Sequence, residues 1–218
     1  MAVAPTDELP HDEASTDEWV FTAWTPDASL GLISGHRLTG ARAWYWSALV
    51  QAGQPLLHLA EWDVAVRADP FVVKAPEMWA EHHCVAPLEQ WSLGNEAYFV
   101  ALDEPSAALD RAYGRPTPTA MDLEWYAVEA ADELVDGFVQ TGVVHGRIDV
   151  MGRTPTELTE VPARRWRRWR EAKGMPPVEL EHVIAHTGLR APFLFPDGAL
   201  SDWVVTPQGW RSRDRDRP

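Results

Sequence analysis

Single histidines and carboxylates in apolar runs are the residues of this chain best suited to chemistry. His58, His83 and His145 each occur in a stretch that the sequence pattern predicts as a strand. An imidazole inside an apolar cavity can orient a ligand hydroxyl or exchange a proton near neutral pH. Carboxylates that become buried can do the same, and the candidates are Glu61, Asp63, Glu124 and Asp149. The alternative at each position is an exposed or structurally satisfied side chain.

The spacing of the other histidines gives little reason to expect a metal ion. His182 and His186 are four residues apart, so a helix would place both on one face. However, the His-Glu-x-x-His motif is absent and no third ligand is evident. His82 and His83 precede Cys84, but neighbouring residues on a strand point to opposite faces. We therefore expect no metal site.

The motifs of several large enzyme classes are also missing from the sequence. The chain has no serine nucleophile elbow, no phosphate-binding loop and no dinucleotide fingerprint. We expect no cofactor, and the sequence leaves open whether the protein is an enzyme.

The most unusual feature of the composition is its 12 tryptophans. An indole supplies a large flat apolar surface with one N–H donor, so several indoles can line a cavity for a ring-bearing molecule. Filling the core is the alternative for any one of them. We predict an internal ligand-binding cavity whose best candidates are Trp46, Trp62, Trp79, Trp125, His58 and His145.

Short runs with strand character, separated by turn signals, recur from Trp19 onward. The alternation is clearest in 55–67, where the apolar face is predicted to hold His58, Trp62 and Val64. A reversed hairpin signal occurs at Gly94-Asn95, another turn at 196–198, and bulge points are predicted at Gly142 and Gly146. About a dozen strands of this kind predict an all-β protein, an antiparallel barrel or closed sandwich with one or two short helices.

Residues 161–174 (VPARRWRRWREAKG) are the best helix candidate in the sequence. Pro162 lies near the first turn, strong helix formers follow, and Gly174 ends the run. Arginines beside Trp166 and Trp169 could dock an acidic partner. The alternative is that the tryptophans pack on the barrel while the arginines face the protein's own acidic surface.

Charge and composition limit the partners and the organisation of the chain. The net charge of −14 repels phosphate backbones, so we expect no nucleic-acid partner. The chain has one cysteine, no signal-peptide pattern and no apolar run of spanning length, which predicts a cytoplasmic protein without a membrane span. We expect a disordered acidic leader at 1–18, a single β-barrel domain at 19–210 and a charged tail at 211–218. A homodimer is one open alternative for the oligomeric state.

The order of the segments from residue 17 to about 170 resembles the lipocalin-like hydroxyneurosporene synthase group and its bacterial relatives. The resemblance depends on an aromatic opening strand, a strand pair that closes on Trp, and a Gly-containing strand followed by an Arg-rich segment. These features are carried by Cys84, Pro87, Trp91, Gln140, Gly142, Gly146, and Arg164 to Trp166. The group often has Arg-Asp-His-Ser-Trp-Gly after the long strand. This chain has Ala163-Arg164-Arg165-Trp166-Arg167, so a catalytic role of that segment does not carry over.

The resemblance implies a lipocalin-like barrel that encloses an apolar pocket, because members of the group carry or act on isoprenoid and lipid-like molecules. We therefore expect this chain to bind an isoprenoid, steroid or lipid-like molecule. Two alternatives stay open. One is cofactor-free hydration, isomerisation or cyclisation of such a molecule, and the other is an interaction module that uses the Arg/Trp helix.

Overall fold

Antiparallel strands make up most of the part of the chain that the structure describes. The computed structural model describes residues 3–11, 15–171 and 189–212. Its two helices are short 3-10 turns, Pro5–Glu8 and Pro105–Leu109. No helix among these residues is long and apolar enough to cross a membrane. The strands are β1 (Ser15–Trp24), β2 (Leu30–Thr39), β3 (Arg42–Gln51), β4 (Leu56–Ala65), β5 (Val72–Ala75), β6 (Met78–Ala86), β7 (Gln90–Leu102), β8 (Arg115–Ala127), β9 (Asp132–Leu134), β10 (Gly137–Val150), β11 (Thr156–Glu171), β12 (Arg190–Leu194), β13 (Leu200–Thr206) and β14 (Gly209–Ser212).

One large sheet curls round until its ends meet. Its order is β4-β3-β2-β1-β11-β10-β8-β7-β6-β5, and β4 also pairs with β7. That pairing joins 56–58 to 100–102 and closes a ring of strands. The rest of the same β7 edge, from Gln90 to Ala97, pairs with β6 instead. The ring is therefore closed at one end and widened by the β5–β6 hairpin at the other, which confirms the all-β prediction.

Alternate residues of the ring strands fill its interior. Trp19, Trp91, Trp125 and Phe99 are each 0% exposed and belong to one continuous apolar cluster. Gly146, at φ 129°, shifts the register between β10 and β11 by a bulge, as the sequence predicted. Such a bulge bends a strand and so helps a sheet to close.

A second layer covers the outer face of β1 to β4. The three-stranded sheet β12-β13-β14 packs there, and its Trp210 indole donates a hydrogen bond to the Ala23 carbonyl at 2.9 Å. A second apolar cluster fills the interface, with Trp46 and Trp166 from the ring and Phe193 from the small sheet. The first four strands are consequently buried on both faces, which explains why tryptophans occur on both sides of them.

The prediction of which β4 residues point into the barrel is wrong up to Trp62. Leu57 and Leu59 point into the barrel, while His58 and Trp62 lie outside it, toward the small sheet. Asp63, at φ 58°, lies next to a register shift between β3 and β4. The extra residue restores Val64 and Val66 to the inner cluster. A single bulge exchanges the two faces of a strand, and the alternation of residue types does not reveal it.

The predicted helix at 161–174 is also wrong over its described part. Residues up to Glu171 belong to β11, which pairs with β1 on one side and β10 on the other. Arg165 and Arg167 point inward, and Trp166 belongs to the outer cluster. Helix propensity differs by only a few tenths of a kcal/mol among these residues, so pairing on both edges decides the outcome. With these two arginines buried, residues 161–169 present no exposed Arg/Trp helix face.

The turn predictions divide into one error and one success. Gly94-Asn95 is no hairpin, since β7 runs through it, and the β6–β7 turn lies at Leu88 instead. The turn at 196–198 does join β12 to β13, where the Gly198 amide donates to the Phe195 carbonyl at 2.9 Å.

The acidic leader differs from the disordered segment that its composition predicts. Pro5–Glu8 forms a 3-10 helix, Glu8 is 1% exposed, and β1 already begins at Ser15. The physical reason is a buried guanidinium, Arg165, which forms an ion pair with the Glu8 carboxylate. A charged side chain thus orders a segment that has few apolar anchors.

Gly35 offers a test of the layer between the barrel and the small sheet. A Cβ at this position would collide with the Trp46 indole on the neighbouring strand. We expect Gly35→Val to lower the free energy of unfolding by roughly 1–3 kcal/mol, the usual cost of overpacking, as measured by urea denaturation. Thr39→Val, at the exposed end of the same strand, should change it by less than about 0.5 kcal/mol. Adding Trp46→Leu should recover part of the loss, and equal effects of both valines would contradict this account.

Candidate functional site

A cleft opens between the barrel wall and the small sheet. Its volume is about 680 Å³, and it is lined by β4, β7, the loop after the second 3-10 helix and the β12–β13 turn. His58, Glu61 and Trp62 come from β4, and Tyr98 comes from β7. Two of the six predicted site residues therefore meet in one cleft, although on the outer side of the barrel.

The Trp62 and Phe195 rings form one wall of this cleft, and the Trp44 and Trp46 rings pack against them outside its lining. The Phe195 ring lies 5.3 Å from the Trp62 ring and 5.1 Å from the Trp46 ring, centroid to centroid. The Trp44 and Trp62 rings meet edge to face at 5.6 Å. Such a wall suits a flat or ring-bearing molecule, because offset and edge contacts between rings add to simple apolar burial.

His58 provides a buried polar atom beside this wall. Its ring is 5% exposed and lies 4.8 Å from the Phe193 ring. The imidazole makes a hydrogen bond to the Pro192 backbone, which has only a carbonyl to offer, and burial lowers the pKa of His58 to about 4. Nε2 has no partner within the described part of the chain, so Nδ1 is the donor to Pro192. In this tautomer Nε2 is an unused acceptor.

Charged groups lie at the edge of the cleft. Asp110 and Arg111 are exposed there, and Glu61 is half-buried. Burial and the neighbouring Glu77 carboxylate raise the pKa of Glu61. Glu61 is thus a further residue of the cleft able to contact a polar ligand group.

A second polar cluster lies inside the barrel and was not predicted from the sequence. The Ser34 hydroxyl is 2.8 Å from His82 Nε2 and 3.0 Å from the Tyr45 hydroxyl. Asn95 donates to the same Tyr45 hydroxyl at 2.9 Å. The His36 ring lies 5.9 Å from the His82 ring, and neither nitrogen of His36 has a partner within the described residues.

Burial keeps this inner cluster uncharged. It lowers the pKa of His36 to about 3, with Arg167 adding to the effect, and it lowers the pKa of His82 well below the ordinary value. Burial also raises the pKa of the Tyr45 phenol. The cluster is therefore a neutral hydrogen-bonding group at physiological pH. Only the even spacing of Ser34 and His36 on β2 could have indicated a shared face.

The remaining predicted site residues are dispersed. Trp125 lies in the barrel interior, and Trp46 lies under the small sheet. Trp79 is half-buried on the outer side of β6, where its indole covers Gly94. His145 faces outward and meets the Tyr126 ring at 5.6 Å. The structure does not bring these four together with His58.

The other candidates for chemistry have ordinary surroundings. Glu124 accepts a hydrogen bond from Gln90 at 3.0 Å, and Asp149 pairs with Arg147. Burial raises the pKa of the Cys84 thiol to about 11. Among the described residues, no three His, Cys, Asp or Glu side chains are placed to hold a metal ion. The pair His182 and His186 lies outside the described residues.

Comparisons with known protein families, with curated proteins and with solved structures find no match to this chain.

The buried histidines predict a stability that depends on pH. The pKa values of His36 and His58 are lowered from 6.5 to about 3 and about 4, so both rings stay neutral in the folded protein. The part of the free energy of unfolding that depends on these two neutral rings is fully present above pH 6.5. It is lost as the pH falls from 6.5 toward 3 to 4. Each should add a slope of roughly 1.4 kcal/mol per pH unit within that window.

Urea denaturation between pH 7.5 and 5 measures this slope. In His36→Gln the slope of the free energy of unfolding against pH should be smaller by the share of one histidine, because the buried group that must stay neutral is gone. His83→Gln, at an exposed position of β6, is the control and should leave the slope unchanged. Identical slopes for the protein and the His36→Gln variant would contradict the prediction.

Proposed function

We propose that this protein binds an apolar, ring-bearing small molecule that carries a hydroxyl group, and that the ligand occupies the cleft between the barrel and the small sheet. One observation carries the proposal. The cleft combines an aromatic wall with His58, a buried imidazole whose Nε2 acceptor has no partner among the described residues. Apolar walls with a few placed polar groups are typical of small-molecule sites.

The size of the cleft supports this ligand class. A volume of about 680 Å³ lies within the range of about 300–1,000 Å³ usual for such sites. Burying roughly 450 Å² of apolar ligand surface contributes about 11 kcal/mol at about 25 cal/mol per Å². Association costs at least about 4 kcal/mol, which leaves a Kd of about 10 μM or weaker.

The polar atoms favour an alcohol over an acid. His58 Nε2 can accept a hydrogen bond from a hydroxyl but offers nothing to a bare carboxylate. Glu61 and Asp110 outnumber Arg111 at the border of the cleft, and the net charge of −14 repels anions. The resemblance to the hydroxyneurosporene synthase group adds an isoprenoid or steroid alcohol as the chemical class within this proposal.

A catalytic role is the second candidate, and Glu61 is the observation that favours it. Its carboxyl lines the cleft that holds His58, and its pKa is raised. A carboxyl group with a raised pKa and a neutral imidazole in one apolar cleft are the components of cofactor-free hydration or isomerisation. Product formation from a bound polyene, lost in Glu61→Gln, would distinguish catalysis from binding.

Fluorescence titration tests the binding proposal. Retinol and a sterol should each give a saturable change in tryptophan emission, and Trp62→Phe should remove part of that signal because Trp62 lines the cleft. Trp79→Phe is the matched control, since the Trp79 indole lies on β6 over Gly94. The proposal fails if no alcohol of the panel saturates, or if both variants change the signal equally.

Matched ligands isolate the role of His58. Affinity for each alcohol should fall about five-fold in His58→Phe, the loss expected for one neutral hydrogen bond of about 1 kcal/mol. Affinity for the corresponding hydrocarbon without the hydroxyl should not change. Calorimetry with both ligands measures the difference, and an equal loss for the two would mean that His58 contributes by shape alone.

A further inference from the structure

The end of the barrel at which β7 begins holds a carboxylate of the chain itself in a set of buried N–H donors. Arg165 of β11 points into the barrel there and is 1% exposed. Its guanidinium donates to both oxygens of the Glu8 carboxylate, from Nη1 to Oε2 at 2.9 Å and from Nη2 to Oε1 at 2.5 Å. The Leu88 amide donates to Oε1 at 2.9 Å. Three N–H groups from two residues, Arg165 on a strand and Leu88 in a turn, therefore converge on one carboxylate.

Gln140 fixes the orientation of these donors. Its side-chain oxygen accepts from Arg165 Nε at 3.1 Å and from Nη2 at 2.7 Å. Its amide nitrogen donates to the Leu88 and Glu129 carbonyls, each at 3.0 Å. The guanidinium and the Leu88 turn are thus both bonded to a neutral side chain whose own hydrogen bonds do not involve Glu8.

Aromatic rings enclose the guanidinium, and two of them have unused donors. Arg165 lies 4.7 Å from the Trp125 ring, 5.0 Å from the Phe138 ring and 5.7 Å from the Trp91 ring. The Nε1 donors of Trp91 and Trp125 are buried and have no hydrogen-bond partner within the described residues. Buried donors of this kind are usually satisfied, so their position beside a carboxylate site points to an acceptor-bearing ligand.

The segment that carries Glu8 is held mainly by exchangeable polar contacts. This N-terminal strap, residues 3–11, receives hydrogen bonds at its backbone from Arg167 and from the Trp19 indole. His11 pairs with the Asp17 carboxylate at 2.8 Å. Leu9 is the large apolar residue of the strap, and it is 55% exposed. The strap therefore has little apolar burial to lose when it leaves the barrel end.

We propose that Arg165, Gln140 and the Leu88 amide form a binding site for a monocarboxylate with an aromatic or apolar tail, and that Glu8 occupies this site in cis. A tethered carboxylate competes at an effective concentration on the order of millimolar. A simple acid cannot displace it, whereas an acid whose tail contacts Trp91 and Trp125 can. The site is independent of the cleft at His58: Trp91 and Val100 are nine residues apart on β7, about 30 Å.

Chemical rescue of the full-length Glu8→Ala variant tests the proposal. The variant leaves a buried guanidinium unpaired, so its melting temperature should fall below that of the unmodified protein. Phenylacetate should restore it saturably, with half of the effect at millimolar concentration. Phenylacetamide and sodium chloride at equal concentration should not, since neither offers a carboxylate to the arginine fork. The unmodified protein should show the shift only at higher phenylacetate concentrations than the variant, because the tethered Glu8 carboxylate competes for the site.

Two control variants keep the result interpretable. Glu104→Ala removes an exposed carboxylate that makes no capping hydrogen bond to the 3-10 helix after it. Phenylacetate should leave the melting temperature of this variant unchanged. Adding Arg165→Met to Glu8→Ala should weaken the rescue at least ten-fold. If Glu8→Ala does not fold, Glu8→Gln replaces it, and quenching of tryptophan emission by phenylacetate reports occupancy beside Trp91 and Trp125. The proposal would be overturned if sodium chloride restored the melting temperature as well as phenylacetate does. It would also be overturned if phenylacetate bound the unmodified protein and the Glu8 variant equally.

Discussion

Two guanidinium groups that point into one end of the barrel constrain the structure around them. Arg165 and Arg167 are 1% and 0% exposed, and a buried charge without a partner is strongly destabilising. Each charge is met by a carboxylate, Glu8 or Asp17, and each guanidinium plane lies against an indole. Residues 3–11 are held against the barrel end for this reason, and not because their own composition favours packing. The same two arginine side chains thus hold the strap to the barrel end and contact three buried tryptophans there, Trp19, Trp91 and Trp125.

The second layer gives the barrel wall a different character on its two sides. Strands β1 to β4 carry one apolar cluster inside the ring and another beneath the small sheet. The outer cluster is open at its margin, where β4 leaves the cover of β12, and the cleft at His58 and Trp62 lies there. A ligand at this margin would contact both layers, so binding would stabilise their association as well as fill the cleft.

Three histidines are buried in the part of the chain that the structure describes, and burial favours the neutral form of each. His36 and His82 lie in the barrel interior and His58 lies beside the cleft, all with lowered pKa values because burial disfavours the imidazolium. Neutral imidazoles supply one donor and one acceptor each. His58 uses its donor on a backbone carbonyl and keeps its acceptor, which makes it suited to recognising a hydroxyl and less suited to holding an anion.

The amino-acid sequence by itself determined the strand-rich architecture, the Gly146 bulge and the turn at 196–198, because alternation and turn chemistry are local properties. It also indicated His58 and Trp62 as candidate site residues, and both line one cleft, although on the outer face and not the predicted inner one. Only the tertiary structure decided that face, since the backbone at Asp63 shifts the alternation by one residue. Only it decided that 161–171 is a strand, because β1 and β10 supply two pairing edges that outweigh a small helix propensity. The partner of Arg165 likewise lies 157 residues away in the chain, so no local pattern could reveal that Glu8 is buried.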